Sequence, residues 1–266
     1  MNVKQVTAIY FSATDNSKKI ALAVAGGMGL ALAEADITAN DFALDRNCFT
    51  RDEAVVVGAP VYSGRIPEVA IERFKQFTGD GTPAIVTVTY GNRAYDDALL
   101  ELMDTLSANG FVPVAAGAFV GRHTWGEIAV DRPTAEDLSE AGQLGRQAGA
   151  LLEQAASVDE IEAPAVKGNR PYREVVKKRL VPHIDKEACI LCGLCAQLCP
   201  TGAIDRGDPS SEALEERCIS CFRCVKVCPT GARHTNFEEY ETFAAAFTER
   251  IGNAHRPNER SCPSGV

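Results

Sequence analysis

Cys189-Ile-Leu-Cys192-Gly-Leu-Cys195-Ala-Gln-Leu-Cys199-Pro200 recurs further along the chain as Cys218-Ile-Ser-Cys221-Phe-Arg-Cys224-Val-Lys-Val-Cys228-Pro229. Both stretches have the spacing C-x2-C-x2-C-x3-C-P, and their continuations match: Cys199-Pro-Thr-Gly-Ala-Ile204 is echoed by Cys228-Pro-Thr-Gly-Ala-Arg233. Structural zinc takes its thiolates as paired C-x2-C units rather than triplets. Disulfides belong to oxidising compartments. Thiolate triplets point instead to iron–sulfur chemistry, and so to a chain that moves electrons. The prolines after Cys199 and Cys228 stop any helix there and remove a backbone donor.

The double run resembles that of the two-cluster bacterial ferredoxins. The resemblance implies two [4Fe-4S] clusters, each held by three cysteines of one run and the fourth of the other. One cluster would take Cys189, Cys192, Cys195 and Cys228, and the other Cys218, Cys221, Cys224 and Cys199. It also implies a small α+β ferredoxin domain over residues 186–236. A unit of that size cannot bury a sufficient core, so the clusters should hold its fold.

Residues 1–156 read differently. Short apolar, β-rich runs at 3–11, 54–58, 84–89 and 112–120, with a weaker one near 33–37, alternate with helix-spaced segments at 17–26, 67–77, 95–107 and 135–156. Apolar strands interleaved with helices predict a doubly wound, five-stranded parallel sheet. Directly after the first strand, Ser12-Ala13-Thr14-Asp15-Asn16-Ser17 opens a helix. Hydroxyls and an amide beside free backbone N–H groups bind a phosphate without Lys or Arg.

This loop resembles the FMN-phosphate loop of flavodoxins, and the resemblance covers most of residues 1–156. It implies the strand order 2-1-3-4-5, with FMN phosphate held by the loop at 12–17. Pro60, Val61, Tyr62, Ser63 and Gly64 after the third strand would pass one side of the flavin. Thr89, Tyr90, Gly91, Asn92 and Tyr95 after the fourth would take the other. Ser63-Gly64 falls where flavodoxins reorient a peptide on flavin reduction. Two residues depart from the family: Asp15 stands where glycine is common, and Tyr62 where a tryptophan often stacks. Gly121-Arg122-His123-Thr124-Trp125 follows the fifth strand on the same sheet edge, with His123 read as a structural loop histidine.

Residues 157–185 contain Pro164, Pro171 and Pro182 and read as a linker. Its cations Lys167, Arg170, Arg173, Lys177, Lys178 and Arg179 suggest a strap across an acidic first domain. Residues 237–251 read as an amphipathic helix and 252–266 as a frayed tail. The net charge of −9 lies mainly in residues 1–156, which carry 12 basic against 20 acidic side chains. That balance argues against nucleic acid and anionic membranes, and suits docking to basic patches on redox proteins. No apolar run has the length of a membrane span. The N-terminus lacks the pattern of a secretory signal, so a reducing cytoplasm, low in oxygen, is expected. Cys48 and Cys262 fall outside any ligand spacing.

The expected function is electron transfer between FMN, two [4Fe-4S] clusters and external redox partners, with no catalytic acid, base or nucleophile named. Two alternatives stand beside it. One is an FMN-dependent reductase of a small quinone-like or unsaturated-acid acceptor, fed through the clusters. The other is a flavin-free docking or redox-sensing module, which Asp15 keeps open.

Overall fold

A computed structural model of the chain describes residues 1–175, 178–252 and 254–263. Five strands run parallel: β1 (Gln5–Tyr10), β2 (Ala31–Asp36), β3 (Ala54–Pro60), β4 (Thr82–Tyr90) and β5 (Phe111–Val120), in the order 2-1-3-4-5. Alternation along each strand feeds two cores. Ile9, Phe11, Val55 and Val57 face one side, with α2 (Glu68–Phe74) and α3 (Ala98–Ala108). Ala8, Tyr10, Ala54 and Val56 face the other, with α1 (Asn16–Gly27) and α4 (Ala135–Gln154). The last two helices cross closely through glycine: a Cβ on Gly145 would stand 1.9 Å from the Val24 carbonyl oxygen. Thr134 starts α4 with a capping box, its hydroxyl accepting from the Asp137 N–H. β2 is an edge strand with mostly exposed residues, which is why its sequence signal is weak.

The tail corrects the sequence reading. Residues 254–263 are not frayed: Glu259–Ser261 forms an antiparallel strand, β6, along β5, with Arg260 opposite Gly117. The sheet therefore has six strands rather than five. Asn258 fastens the tail by accepting from Val120 N–H (2.9 Å) and donating to Asp137 (2.8 Å) and Glu140 (2.7 Å). The linker is likewise tied down. Arg170 forms a forked pair with Asp104 (2.5 and 2.8 Å), Asn169 N–H donates to Asp97 (2.8 Å), and Arg173 pairs with Asp96. Lys177 of the basic run, and Asn253 and residues 264–266 of the tail, lie outside the described residues.

The cysteine-rich segment has little regular structure: α5 (Leu194–Gln197), α6 (Arg223–Val227) and a two-residue antiparallel pairing of His183–Ile184 with Arg233–His234. Its own buried cluster is only Cys195, Ala196 and Ile204. The helix α7 (Glu238–Ile251) follows and leans back on the first domain, where Gly126 N–H donates to Tyr240 (3.2 Å). Among the described residues no helix is long and apolar enough to cross a membrane.

Candidate functional site: a cleft between the sheet and the cysteine runs

A cleft of about 1050 Å³ opens at the carboxyl ends of the parallel strands, where doubly wound sheets bind ligands. Ser12, Ala13, Thr14, Asn16 and Ser17 line it from the loop after β1. Pro60, Val61, Tyr62 and Ser63 line it after β3, and Thr89, Tyr90 and Gly91 after β4. The first loop is pre-formed. Ser12 N–H donates to the Thr38 hydroxyl (2.8 Å), and the Ser12 hydroxyl accepts from Lys18 N–H (3.0 Å). Asn16 donates to the Arg122 carbonyl (3.0 Å), joining this loop to the one after β5. The hydroxyl oxygen of Thr89 is buried at the cleft without a partner among the described residues.

Four expected site residues stand outside that lining. Asp15 is the N-cap of α1 at φ 65, a left-handed conformation that glycine adopts freely, and its side chain makes no cap bond. Gly64 (φ 84), with Ser63 (φ 54), forms a tight turn closed by Tyr62 N–H to the Arg65 carbonyl (2.9 Å), and packs against Asp96. Asn92 is buried and holds the tail, donating to the carbonyls of Ile251 (3.1 Å) and Ala254. Tyr95 donates to Glu259 of β6 (2.7 Å) and meets Tyr90 edge-on, with centroids 5.5 Å apart.

The far wall comes from residues distant in sequence. Cys218, Ile219 and Ser220 of the second cysteine run, with Phe243 and Phe247 of α7, share the lining with His123 and Trp125. Trp125 Nε1 donates to the Ser220 carbonyl (3.0 Å), and its ring meets Phe243 edge-on at 5.4 Å. Burial pushes the His123 imidazole down to about 4, so the ring is neutral at pH 7. Its Nδ1 lies between the Trp125 N–H (2.8 Å) and the Trp125 carbonyl (2.9 Å), so the Trp125 backbone fixes the ring.

Three further cations were invisible to a motif reading. Arg73, almost fully buried on α2, donates to the carbonyls of Ile37 (2.7 Å), Thr38 (2.8 Å) and Pro200 (2.6 Å), gripping the first Cys-Pro step. Arg223, between Cys221 and Cys224, donates to the carbonyls of Ser12 (3.0 Å) and Ala13 (2.9 Å). Lys226 lies within electrostatic reach of Asp15 and Cys221, while burial lowers its pKa. The loop at 12–17 has no cation of its own, but the cysteine domain brings two. Tyr62 bridges the same junction: burial, then the neighbouring Cys221, raise its hydroxyl well above the ordinary range.

The eight run cysteines sort into two groups. Cys189, Cys192, Cys195 and Cys228 line one small cavity, together with Arg233. Cys218, Cys221 and Cys224 have thiols pushed up by burial first, with Cys199 raising each further; Cys221 reaches about 12. Cys228 thus shares a cavity with the first three cysteines of the other run, and Cys199 lies within electrostatic reach of Cys218, Cys221 and Cys224. Cys48 is exposed and Cys262 packs at the edge of the α1–α4 core.

Residues 182–234 match the family of 4Fe-4S dicluster domains. No protein of curated function matches the chain. Among solved structures, a flavodoxin from the domain Archaea is 16% identical over 56% of this chain and 99% of its own, with a TM-score of 0.43. A flavodoxin of Streptococcus pneumonia TIGR4 is 15% identical, covering 55% of this chain and 98% of its own, with a TM-score of 0.39. A short-chain flavodoxin associated with a non-canonical PDU bacterial microcompartment is 16% identical, covering 58% and 100%, with a TM-score of 0.40. The chain thus joins a doubly wound parallel α/β domain to a segment similar to 4Fe-4S dicluster domains.

Proposed function

We propose that this protein is an electron carrier in which FMN, bound in the interdomain cleft, exchanges electrons with two [4Fe-4S] clusters and, through them, with redox proteins. One observation carries the proposal: Cys218, Ile219 and Ser220 line the same cleft as the loop at 12–17. The residues fit FMN. Hydroxyls and helix N–H groups at the start of α1, with Arg223 and Lys226 behind them, suit a phosphate. Tyr62 and Trp125 suit the faces of a flat aromatic ring, and the orphaned Thr89 hydroxyl is free to bond a ligand. FMN would supply coupling between one- and two-electron chemistry. The chain's own residues orient it, keep water from the junction and set its distance from the second cysteine run.

Cys189, Cys192, Cys195 and Cys228 would hold one cluster, and Cys218, Cys221, Cys224 and Cys199 the other. The cavity shared by the first four and the field of Cys199 on the other three support this exchange of fourth ligands. The working units would be residues 1–156 for FMN, 157–185 as strap, 186–236 for the clusters and 237–266 as closing helix and tail. Ile190 and Leu191, 63% and 62% exposed beside Cys189 and Cys192, mark an outlet toward a partner. A reducing cytoplasm suits such clusters.

Iron, sulfide and flavin content of protein purified without oxygen tests the proposal. About eight irons and one FMN are expected from the ligand count; eight irons with no flavin, even after FMN is added, would remove the carrier role of the first domain. Asp15→Gly is expected to stabilise the fold by about 1 kcal/mol, by removing a left-handed non-glycine residue. It is also expected to tighten FMN retention, by removing an anion near the phosphate. Flavin titration and thermal melting measure the two effects, and unchanged values in both would refute this account of Asp15.

A second reading rests on the cleft's size, about 1050 Å³, which is at the top of the range for small-molecule sites. In that reading a quinone-like or unsaturated-acid acceptor enters beside the flavin. Steady-state reduction of such acceptors separates a reductase from a pure carrier.

A further inference from the structure

We infer that Arg233 is the built-in counter-cation of the cluster held by Cys189, Cys192, Cys195 and Cys228, and that it makes this cluster the first of the two to be reduced. The inference rests on the two-cluster reading above and adds the order in which the clusters fill.

The two cysteine runs fold alike. Leu191 and Ser220 hold the same place in the repeat with φ 55 and 53, and Gly193 and Phe222 another with φ 74 and 55. The likeness breaks at one buried position: after Cys-Pro-Thr-Gly-Ala, the first run has Ile204, 3% exposed, and the second Arg233, 1% exposed. An apolar residue and a guanidinium thus occupy equivalent interior places.

Arg233 is held but not neutralised. Its Nη2 donates to the carbonyls of Pro209 (2.9 Å) and Ser211 (2.6 Å). Its Nε and Nη1 are buried with no partner, and no carboxylate pairs with it among the described residues. Asp208 lies within electrostatic reach of it but forms no ion pair with it, and a buried cation with no contacting anion is rare. Arg233 also lines the cavity of Cys189, Cys192, Cys195 and Cys228. A cluster with four thiolates carries about −2 when oxidised and one more negative charge when reduced. A cluster held there would supply a contacting anion and acceptors for the two idle N–H groups.

Charge and hydrogen bonds to sulfur both raise a cluster's potential. The field of Arg233 reaches Cys224, so both clusters would gain; the larger gain is assigned to the one whose cavity Arg233 lines. A cluster held by Cys189, Cys192, Cys195 and Cys228 would, beside Arg233, take the one electron that the other cluster gives up. No bond or proton changes hands. Electrons entering from the cleft side at Cys218 would therefore run downhill to the cluster near Ile190 and Leu191.

The test is a potentiometric titration of the anaerobic holoprotein, followed by EPR, in unaltered protein and in Arg233→Met. Iron near eight per chain in both samples separates failure of the cluster reading from failure of this one. The higher potential is expected to fall in Arg233→Met by about tenfold in reduced-to-oxidised ratio, ~59 mV for one electron, with a smaller change in the lower. Arg233→Lys should retain most of the higher value. Equal shifts of both clusters, or none, would overturn the inference. If Arg233→Met loses iron, the unaltered protein still decides. Paramagnetic NMR during stepwise reduction must show the β-protons of Cys189, Cys192, Cys195 and Cys228 responding before those of the other set, and the reverse order overturns it.

Discussion

Stripping iron from the protein with acid and chelator is expected to unfold residues 182–234 while the six-stranded sheet stays folded. The segment's own apolar cluster is Cys195, Ala196 and Ile204, and its other buried residues, such as Phe222 and Arg233, lie outside that cluster. Its helices are four and five residues long, well below the length at which a helix persists alone. Nothing in that inventory offsets the chain entropy of some fifty ordered residues, about 1–2 kcal/mol each. Metal–thiolate bonds must supply the difference, as in other small metal-held domains. The sheet depends on no such bonds, since its two cores are apolar and continuous. Hydrogen exchange before and after stripping makes the comparison residue by residue. Protection should vanish across the cysteine segment and persist in β1, β3 and β4. A segment that stays protected without iron would show that packing alone holds it.

Arg73→Ala should be the most damaging single substitution outside the cysteines. The guanidinium serves three carbonyls, those of Ile37, Thr38 and Pro200, and lies over the rings of Phe11 and Phe42 at 5.6 and 5.1 Å. Burial alone lowers its pKa; Arg is the side chain that stays charged there. Truncation leaves three acceptors without donors, at about 1 kcal/mol or more each, so about 3 kcal/mol in sum. For a chain of this size that corresponds to a melting shift of about 6–12 °C. Arg73→Lys should recover only part of the loss, because an ammonium cannot fork across three fixed carbonyls. Melting of the holoprotein checks the prediction. A shift under about 2 °C for Arg73→Ala would mean the carbonyls find water instead.

What was legible in the sequence was what short stretches encode. The cysteine runs carry their spacing within a dozen residues, and the loop at 12–17 carries its hydroxyls within six. The buried strands announce themselves by apolar β-branched runs. What was not legible depends on contacts across the chain. Arg73 meets Pro200, and Arg223 meets Ser12 and Ala13, but no local pattern marks an arginine whose partners are carbonyls over a hundred residues away. Asn92 and Tyr95, expected at the site, stand outside the cleft lining, and their side chains hold the tail. The tail carries no strand signal because Glu259-Arg-Ser261 has no apolar alternation; it pairs through backbone and side-chain amides at a sheet edge. His123 and Trp125 were seen, but their weight became plain only when α7 and the second cysteine run closed over them.

The shared wall of the cleft has a consequence for how the molecule is built in the cell. Cys218, Ile219 and Ser220 form part of the flavin's prospective enclosure, and before iron arrives that loop is tied only by bonds such as those from Trp125 and Leu180 to Ser220. Flavin retention would then depend on cluster insertion. A chain made under iron starvation would leave the ribosome with a sound sheet and a half-built pocket. Maturation would have a fixed sequence, clusters first and flavin second. Iron supply alone would decide how many copies become competent to carry electrons.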